Sequence, residues 1–336
     1  MLIDEELKAL LNKPKKIVIT THYKPDGDAL GSSLGLGHFL RQYGHQVQIV
    51  VPSDYPKFLS WLPGQHDIFI YPQVQEESDV VIQQADILFA LDYNHLSRIH
   101  AMEAVVRQRQ VPKILIDHHL DPEGFDDWRL WDPEAASTAQ LVYNFMVSFM
   151  EGRSRIDADI ASCLYTGIMT DTGSFRFQRT TEEVHMIVAD LIRLGAQNWK
   201  IHDAIYNSAS ENRLKFLGFC LLNRLEVIPE YNAALFSVSS ADLEQFKVGT
   251  GDTEGLVNYA LSVEGVRLAA LIIDRPDKVK ISLRSVDAVP CNEICAKYFN
   301  GGGHKNAAGG SSDEDFLVVI QKFKTILQQY KDVLTQ

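Results

Sequence analysis

The sequence predicts an α/β protein with two domains: a mostly parallel N-terminal sheet with helices on both faces, and a smaller C-terminal α/β domain. Strand-like and helix-like segments alternate through the first third of the chain. A second series of strands begins near residue 228, after a mainly helical stretch. At 336 residues, the chain also exceeds the size at which a single hydrophobic core usually stops growing.

The N-terminal strands are short runs rich in β-branched residues. They are apolar on both faces, which is typical of a parallel sheet covered on both sides. The small residues of "ALGSS" (29–33) would let the first helix approach the sheet closely. The predicted strands are KKIVITT (15–21), QVQIVVP (46–52), ADILFALDYN (85–94) and KILIDHH (113–119), and the predicted helices are ALGSSLGLGHFLRQYG (29–44) and LSRIHAMEAVVRQ (96–108).

Helical patterns dominate residues 137–227, where Ser/Thr and Gly residues mark helix ends. We therefore expect a first domain over 1–195, a helical connector over 196–227 and a second domain over 228–336. The second domain has predicted strands at YNAALFSVSS (231–240), VRLAALIID (266–274) and VKISLRSV (279–286), and predicted helices near 252–262, 291–299 and 313–333.

Composition narrows the classes of partner. The chain is 46% hydrophobic without an apolar run of the ~18 residues that a membrane span needs, so no membrane partner is expected. The N-terminus lacks the pattern of a secretory signal, and the four cysteines show no disulfide spacing, which together predict a cytoplasmic protein. A net charge of −12 favours a small substrate over a long nucleic acid.

Aspartates and histidines gather where the predicted strands end. Because ligands bind at the carboxyl ends of strands in open α/β sheets, these side chains should meet in one crevice. A further carboxylate, Asp171, lies in the helical stretch. The strand-end residues are His22, Asp26 and Asp28 after the first strand, Asp92 after the third, and Asp117, His118 and His119 after the fourth.

Carboxylates packed this closely repel one another unless a positive charge lies among them. Mixed carboxylate and imidazole donors suit manganese, magnesium, iron or cobalt. We expect two divalent ions, with manganese as the first choice and magnesium or cobalt as the alternatives. Each segment alone has a simpler interpretation, because an aspartate after a strand often caps a helix and a lone histidine is usually structural. The order HxxxDxD, D, DHH, D across one sheet edge favours a metal site over coincidence.

These motifs resemble those of the DHH phosphoesterase superfamily, which is named after the motif that stands here as "DHH" at 117–119. The C-terminal "ISLRS" and "GGGHKNAAGG" resemble its DHH-associated domain, so the likeness spans residues 22–310, nearly the whole chain. The segments "HYKPDGDALGSS" and "TDTGSFRF" are most similar to the corresponding segments of the nanoRNase group. That group degrades very short oligoribonucleotides and removes the 3′-phosphate of 3′-phosphoadenosine 5′-phosphate.

The resemblance implies a role for each site residue. His22, Asp26 and Asp92 would bind one metal ion, and Asp28, Asp92, His118 and Asp171 the other, with Asp92 bridging. His119 would donate to the scissile phosphate, and Asp117 would orient the neighbouring histidines. Two ions held this way lower the pKa of a shared water, and Arg98 or Arg176 could add charge at the phosphate. Either arginine could equally be a surface ion pair.

The C-terminal motifs predict a second contact with the substrate. Gly301, Gly302 and Gly303 would let backbone N–H groups approach an anion, while His304 and Arg284 bind a terminal phosphate or the next nucleotide. If this loop closed over the metal site, it would limit substrate length. Hydrolysis of cyclic dinucleotides or their linear products is an enzymatic alternative, and a noncatalytic nucleotide sensor is one of another class. The chain could form a homodimer.

Overall fold

The computed structural model describes residues 5–149 and 152–336, which form two compact units. The first unit runs to Ser208 and the second begins at Ala209. This boundary falls inside the segment 196–227 that we predicted as a connector. The two units are described separately below.

The first unit is built on a six-stranded parallel sheet with strand order β3-β2-β1-β4-β5-β6. Ile19 of the central strand pairs with Ile49 on one side and Phe89 on the other. The predicted fold class is therefore confirmed for this unit, although the two edge strands were not predicted. The strands are β1 (Lys16–Thr21), β2 (Gln46–Val51), β3 (Phe69–Ile70), β4 (Ile87–Leu91), β5 (Lys113–Asp117) and β6 (Trp128–Trp131).

Both faces of this sheet are buried, as the apolar strands predicted. Ile17 and Ile19 of β1 point into one core, while Val18 between them points into another on the opposite face. Because all six strands run parallel, their carboxyl ends lie at one edge of the sheet. The helices of the unit are α1 (Glu5–Leu10), α2 (Gly27–Arg41), α3 (Gln75–Gln84), α4 (Glu103–Gln108), α5 (Thr138–Ser148), α6 (Ala158–Asp171), α7 (Glu182–Arg193) and α8 (Asn198–Tyr206).

Helix α2 packs closely on α6 through glycine. A Cβ atom on Gly31 would lie 2.4 Å from the carbonyl oxygen of Cys163, a distance that no side chain tolerates. The expectation that the "ALGSS" residues serve an approach to the sheet is therefore wrong for Gly31, which faces a neighbouring helix. Sequence spacing gave no sign of that helix, because it lies more than 100 residues further along the chain.

The predicted helix over 96–108 is interrupted. Residues Leu96–Met102 form a 3₁₀ segment, and α4 starts only at Glu103. At the interruption His100 has φ 48° and ψ −118°, far from helical values. The apolar periodicity continues through this kink, which explains why the pattern predicted a single helix.

The second unit holds a six-stranded sheet with strand order β11-β12-β10-β9-β8-β7, in which only β8 and β9 run parallel among the described strands. Helices cover it, as predicted for a smaller α/β domain. Its strands are β7 (Leu225–Ile228), β8 (Ala233–Val238), β9 (Leu268–Asp274), β10 (Val279–Ser285), β11 (Gly302–His304) and β12 (Ala307–Ser312), and its helices are α9 (Glu211–Asn223), α10 (Ser240–Gln245), α11 (Leu256–Leu261), α12 (Cys291–Tyr298), α13 (Phe316–Gln329) and α14 (Lys331–Leu334).

The glycine cluster "GGGHKNAAGG" forms the β11–β12 hairpin, where the sequence suggested only a loop. A Cβ on Gly301 would lie 2.0 Å from the carbonyl oxygen of Gly309, so glycine is required for these strands to meet. Across the described part of the chain, none of the helices combines the length and apolarity needed to cross a bilayer.

Candidate metal centre

The turn between β1 and α2 positions two of the predicted ligands. Asp26 is the N-cap of α2, and its Oδ1 accepts hydrogen bonds from the backbone N–H of Asp28 at 3.0 Å and of Ala29 at 3.1 Å. Its other oxygen, Oδ2, lies 3.9 Å from His22 Nε2. Helix capping and a place in the site are therefore compatible, because each uses a different oxygen of Asp26.

Asp92 lies at the centre of the cluster. It follows β4 directly, is buried, and has the unusual φ of 64° for a residue with a side chain. Its Oδ2 lies 3.4 Å from His22 Nε2 and its Oδ1 lies 3.6 Å from His118 Nε2. One carboxylate thus faces a histidine on each side.

The ring nitrogens of His22 and His118 are oriented by backbone carbonyls. His22 Nδ1 lies 2.9 Å from the carbonyl oxygen of Tyr23, and His118 Nδ1 lies 3.2 Å from that of Ala135. In the neutral form of each ring the proton is therefore on Nδ1, and the lone pair of Nε2 faces the carboxylates. This is the orientation that metal-ligating histidines commonly have.

His119 is held differently, by a carboxylate. Its Nδ1 donates to Asp117 Oδ1 at 2.7 Å, and Asp117 is fully buried at the end of β5. Asp117 Oδ2 is also buried, and it has no hydrogen-bond partner among the residues that the structure describes. Asp117 thus sets the orientation of the His119 ring.

The first turn of α5 contributes contacts that sequence reasoning missed. Asp28 Oδ2 accepts from the backbone N–H of Thr138 at 2.7 Å, and Asp28 Oδ1 from that of Ala139 at 2.9 Å. The Thr138 hydroxyl donates to Asp92 Oδ1 at 2.9 Å. The Ser/Thr pair that opens α5 marked a helix start in the sequence, but nothing in the pattern connected it with Asp28 or Asp92.

Asp171 approaches from the C-terminus of α6. Its Oδ2 lies 3.5 Å from His118 Nε2, and its side chain is 31% exposed. After α6, Gly173, Ser174 and Phe175 have positive φ values of 57°, 62° and 65°. Positive φ values cost free energy for residues that have side chains. Here they reverse the direction of the chain immediately after Asp171.

Burial and like charge perturb the pKa values of this cluster. Burial raises the pKa of Asp28 well above its usual range, and the nearby charges of Asp92 and Asp171 raise it further. Burial also opposes ionisation of Asp92, but the hydrogen bond from His22 together with the charges of His119, His22 and His118 outweighs burial and lowers the pKa of Asp92. Burial opposes protonation of His22, but the hydrogen bond to Asp92 together with the charges of Asp26 and Asp92 outweighs burial and the charge of Arg98, so the pKa of His22 is raised. Without a bound cation, the cluster retains protons to limit its negative charge.

Three overlapping groups in the first unit have the geometry to hold a metal ion, because one ligand atom per residue lies within 4.8 Å of the others. Two of them match the predicted ligand sets: His22, Asp26 and Asp92, and Asp28, Asp92 and His118. The third is Asp92, Asp117 and His119, so Asp92 belongs to all three. Carboxylate oxygen and imidazole nitrogen are suitable donors for divalent ions such as Mn²⁺, so the donor chemistry fits the predicted ions.

The two predicted arginines lie in different surroundings. Arg98 is half-buried, and after burial its charge is the largest influence lowering the pKa of His119. Its charge also acts on His22 and Asp117. Arg176 is exposed, and its Nε donates at 2.7 Å to the carbonyl oxygen of Gly173 in its own turn.

In the second unit, the predicted substrate contacts share one face of a sheet. Arg284 pairs with Ala307 across β10 and β12, and Ala307 pairs with His304 across β12 and β11. Directly paired residues project to the same face, so Arg284 and His304 flank a small alanine at a separation of about 10 Å, two strand spacings. A Cβ on Gly302 would have no atom within 4 Å, so the surface above it is open.

Comparisons with known proteins place this arrangement in a family. The model for "DHH family, N-terminal domain" matches residues 16–168, and the model for "DHHA1 domain" matches residues 233–336. A Thermus thermophilus protein named "Bifunctional oligoribonuclease and PAP phosphatase NrnA" is 32% identical over all of this chain and 94% of its own length. The chain belongs to the DHH family. The predicted resemblance, including the group within the family, is thus confirmed.

Two further relatives and a solved structure are also similar to this chain. A Bacillus subtilis protein with the same name as the Thermus relative is 27% identical over 88% of each chain. A Listeria monocytogenes protein named "Cyclic-di-AMP phosphodiesterase PdeA" is 25% identical, with 46% of its length matched. The crystal structure of an exopolyphosphatase-related protein from Bacteroides fragilis superimposes with a TM-score of 0.93 at 39% identity, covering 99% of this chain and 97% of that one.

A more distant structure gives support only for the fold of this DHH protein. It is RecJ from Thermus thermophilus in complex with Mn²⁺, at a TM-score of 0.51 and 15% identity, covering 97% of this chain and 54% of the RecJ chain. The α/β fold predicted from the sequence is therefore confirmed.

Proposed function

We propose that this protein is a two-metal phosphoesterase that hydrolyses short oligoribonucleotides to mononucleotides and removes the 3′-phosphate of 3′-phosphoadenosine 5′-phosphate. The observation that carries the proposal is the shared Asp92, which belongs to both donor groups. The names of the Thermus and Bacillus relatives, matched over 94% and 88% of their lengths, support the choice of substrates.

In this proposal, His22, Asp26 and Asp92 hold one divalent ion. The second is held by Asp28, Asp92, His118 and Asp171. Manganese is the expected ion, with magnesium or cobalt as substitutes, because the donors are oxygen and imidazole nitrogen without thiolate. Such a pair supplies an activated water and neutralises charge on the reacting phosphate.

The protein's own side chains orient and stabilise the phosphate. The Nδ1–H of His119 donates to Asp117, which fixes the orientation of the ring at the cluster. In its protonated form the ring also donates, from Nε2, to a non-bridging phosphate oxygen. Arg98 adds positive charge near His119. Arg176, exposed on the turn after Asp171, is the second candidate for the phosphate.

On the second unit, we assign the far end of the substrate to the β11–β12 hairpin. Arg284 and His304 flank Ala307 on one face, and Gly301 to Gly303 carry no side chains that would obstruct an anion or a base. An acidic chain with a local basic contact favours small nucleotides over long nucleic acid. The four cysteines are buried and unpaired, which fits the reducing cytoplasm where short RNA arises.

A substrate panel tests the proposal. Purified protein in Mn²⁺ is incubated with RNA of two to five nucleotides, 3′-phosphoadenosine 5′-phosphate, pyrophosphate and long single-stranded DNA. We expect mononucleotides from the short RNA and adenosine 5′-phosphate from the bisphosphate, with little reaction of long DNA. Inactivity on dinucleotides in Mn²⁺, Mg²⁺ and Co²⁺ would contradict the proposal and favour a nucleotide sensor.

The name of the Listeria relative supports a second candidate, hydrolysis of cyclic dinucleotides or their linear products. A comparison of a linear dinucleotide with its cyclic form separates the two candidates. Faster cleavage of the cyclic form would favour the second. Preference for the linear form would favour the first.

A further inference from the structure

An exposed aromatic pair lies at the same sheet edge as the aspartate and histidine cluster. Tyr23 directly follows His22, and its ring stacks on the ring of His100 with centroids 4.1 Å apart and planes inclined by 21°. Tyr23 is 41% exposed, and His100 is exposed as well. The roles assigned above to metal ligands and phosphate contacts use neither ring.

A second stack in the same unit shows what is unusual about this pair. Phe145 and Phe149 also stack, with centroids 5.8 Å apart and planes inclined by 20°, but both are fully buried in the core. Their contact contributes to the burial of apolar surface. The Tyr23–His100 stack presents aromatic surface to solvent, so core packing does not account for it.

The backbone holds the pair in place on both sides. The N–H of Tyr23 donates to the carbonyl oxygen of Arg98 at 2.8 Å, which ties the turn after β1 to the segment after β4. The next residue, Lys24, has φ 56°, and its N–H donates to Ser53 Oγ at 2.8 Å after β2. Three strand ends therefore brace the position of Tyr23.

His100 reaches its partner through an unfavourable conformation. Its φ of 48° and ψ of −118° interrupt the helical segment. Strained backbone of this kind persists where the surrounding structure enforces it, and it is concentrated at ligand sites. The strain turns the imidazole of His100 onto the Tyr23 ring.

We propose that Tyr23 and His100 form a stacking surface for a nucleobase of the substrate, and that this surface makes the enzyme select nucleotide phosphates over pyrophosphate and inorganic polyphosphate. The proposal rests on the phosphoesterase function proposed above. The Tyr23 carbonyl holds His22 Nδ1, so a phosphate bound at the cluster brings its nucleoside close to the aromatic pair. Stacking tolerates any sequence, because every base has a π face.

A binding experiment tests the stack without turnover. The probe is 2-aminopurine riboside 5′-monophosphate, a fluorescent analogue of the mononucleotide product, titrated into protein in Mn²⁺. Stacking quenches its fluorescence. Tyr23→Ala should remove the quenching and weaken binding roughly tenfold, whereas Tyr23→Phe, which keeps the ring, should behave as wild type. No quenching by wild type, or equal quenching by Tyr23→Ala, would overturn the proposal.

A kinetic experiment tests selectivity. The kcat/KM for a dinucleotide is compared with that for the same molecule carrying abasic sites, and with that for pyrophosphate. In wild type the dinucleotide should be preferred, and Tyr23→Ala should lose roughly tenfold on the dinucleotide but little on the abasic analogue. Equal losses on both would assign Tyr23 a merely structural role and overturn the proposal.

The two experiments separate this proposal from the function on which it rests. If wild type quenches the probe but cleaves no dinucleotide, the proposed hydrolysis fails and the stacking surface stands. If wild type cleaves dinucleotides and Tyr23→Ala matches it in both experiments, the stacking surface fails and the hydrolysis stands. Circular dichroism checks that each variant is folded, which is expected because Tyr23 is exposed.

Discussion

Buried carboxylates in this protein fall into two kinds, those with an arginine partner and those without. In the second unit, Arg224 binds Asp242 through two hydrogen bonds of 2.8 Å and lowers the pKa of Asp242. In the first unit, hydrogen bonding from Arg153 lowers the pKa of Asp190 in the same way. Asp28 instead has a strongly raised pKa, because it is buried beside other carboxylates.

This difference is the one expected between a structural carboxylate and a metal ligand. Asp242 also accepts a hydrogen bond from the backbone N–H of Ser239, the N-cap of α10, so its charge is satisfied within the fold. Hydrogen-bond donors contact both Asp28 and Asp92. The carboxylates of the cluster nevertheless outnumber the positively charged side chains near them. An external cation is the natural complement to such a group. The predictions that follow test this contrast, in order of decreasing expected effect.

The largest effect is expected for Asp92→Asn. Because both donor groups share this carboxylate, the change should abolish tight Mn²⁺ binding and reduce hydrolysis below detection. Isothermal titration with Mn²⁺ and a dinucleotide assay measure these two quantities. Asp277→Asn, in an exposed loop, is the matched control and should behave as wild type. Retained activity in Asp92→Asn would refute the bridging assignment.

The second-largest effect, on Mn²⁺ affinity, is expected for Thr138→Val. This change removes the hydroxyl that donates to Asp92 but keeps the backbone N–H that donates to Asp28. Loss of a group that orients a ligand typically costs about 10–100-fold in metal affinity. We expect a loss in that range by Mn²⁺ titration, and Thr138→Ser should restore most of it. If valine and serine were equivalent, the hydroxyl would have no part in orienting Asp92.

Arg224→Met should affect stability but not activity. It leaves Asp242 without its arginine, at an expected cost of about 2 kcal/mol in the free energy of unfolding at pH 7, less than for a fully buried pair because Arg224 is partly exposed. The pKa of Asp242 is lowered in the fold, so this stabilisation is present above the usual aspartate pKa and is lost as the pH falls through the lowered value.

Urea unfolding of Arg224→Met and wild type at pH 7 and pH 3 measures this effect, and the difference between them should shrink at pH 3. Lys215→Met serves as the control, because its pair with Glu211 is exposed and should be worth under about 1 kcal/mol. A difference independent of pH would show that Arg224 acts through packing and not through its charge.

The smallest effect is expected for Arg284→Ala in the second unit. If this arginine binds the far end of the substrate, the KM for a dinucleotide should rise about tenfold while kcat stays near the wild-type value. Arg284→Lys, which keeps the charge, should lie between. A fall in kcat with unchanged KM would place Arg284 in the chemical step instead.

Much of the first unit was predictable from local patterns. Apolar β-branched runs identified β1, β2, β4 and β5, and the polar residues after them indicated the candidate site, because strand direction alone places the carboxyl ends together. Short or weakly apolar elements were missed, among them β3 with two residues and β6 with the pattern WRLW. The kink at His100 was also missed, because apolar periodicity continues through it.

The amino-acid sequence by itself determined the α/β class, the family, and the residue types that converge at one sheet edge, because these follow from local periodicity and from motifs of adjacent residues. Tertiary structure alone decided which oxygen of each aspartate faces which partner. The hydrogen bond from Thr138 to Asp28 joins residues 110 positions apart in the sequence. The Tyr23–His100 stack requires a backbone kink that the sequence pattern does not predict. Such contacts depend on how separate elements pack, which spacing along the chain does not encode.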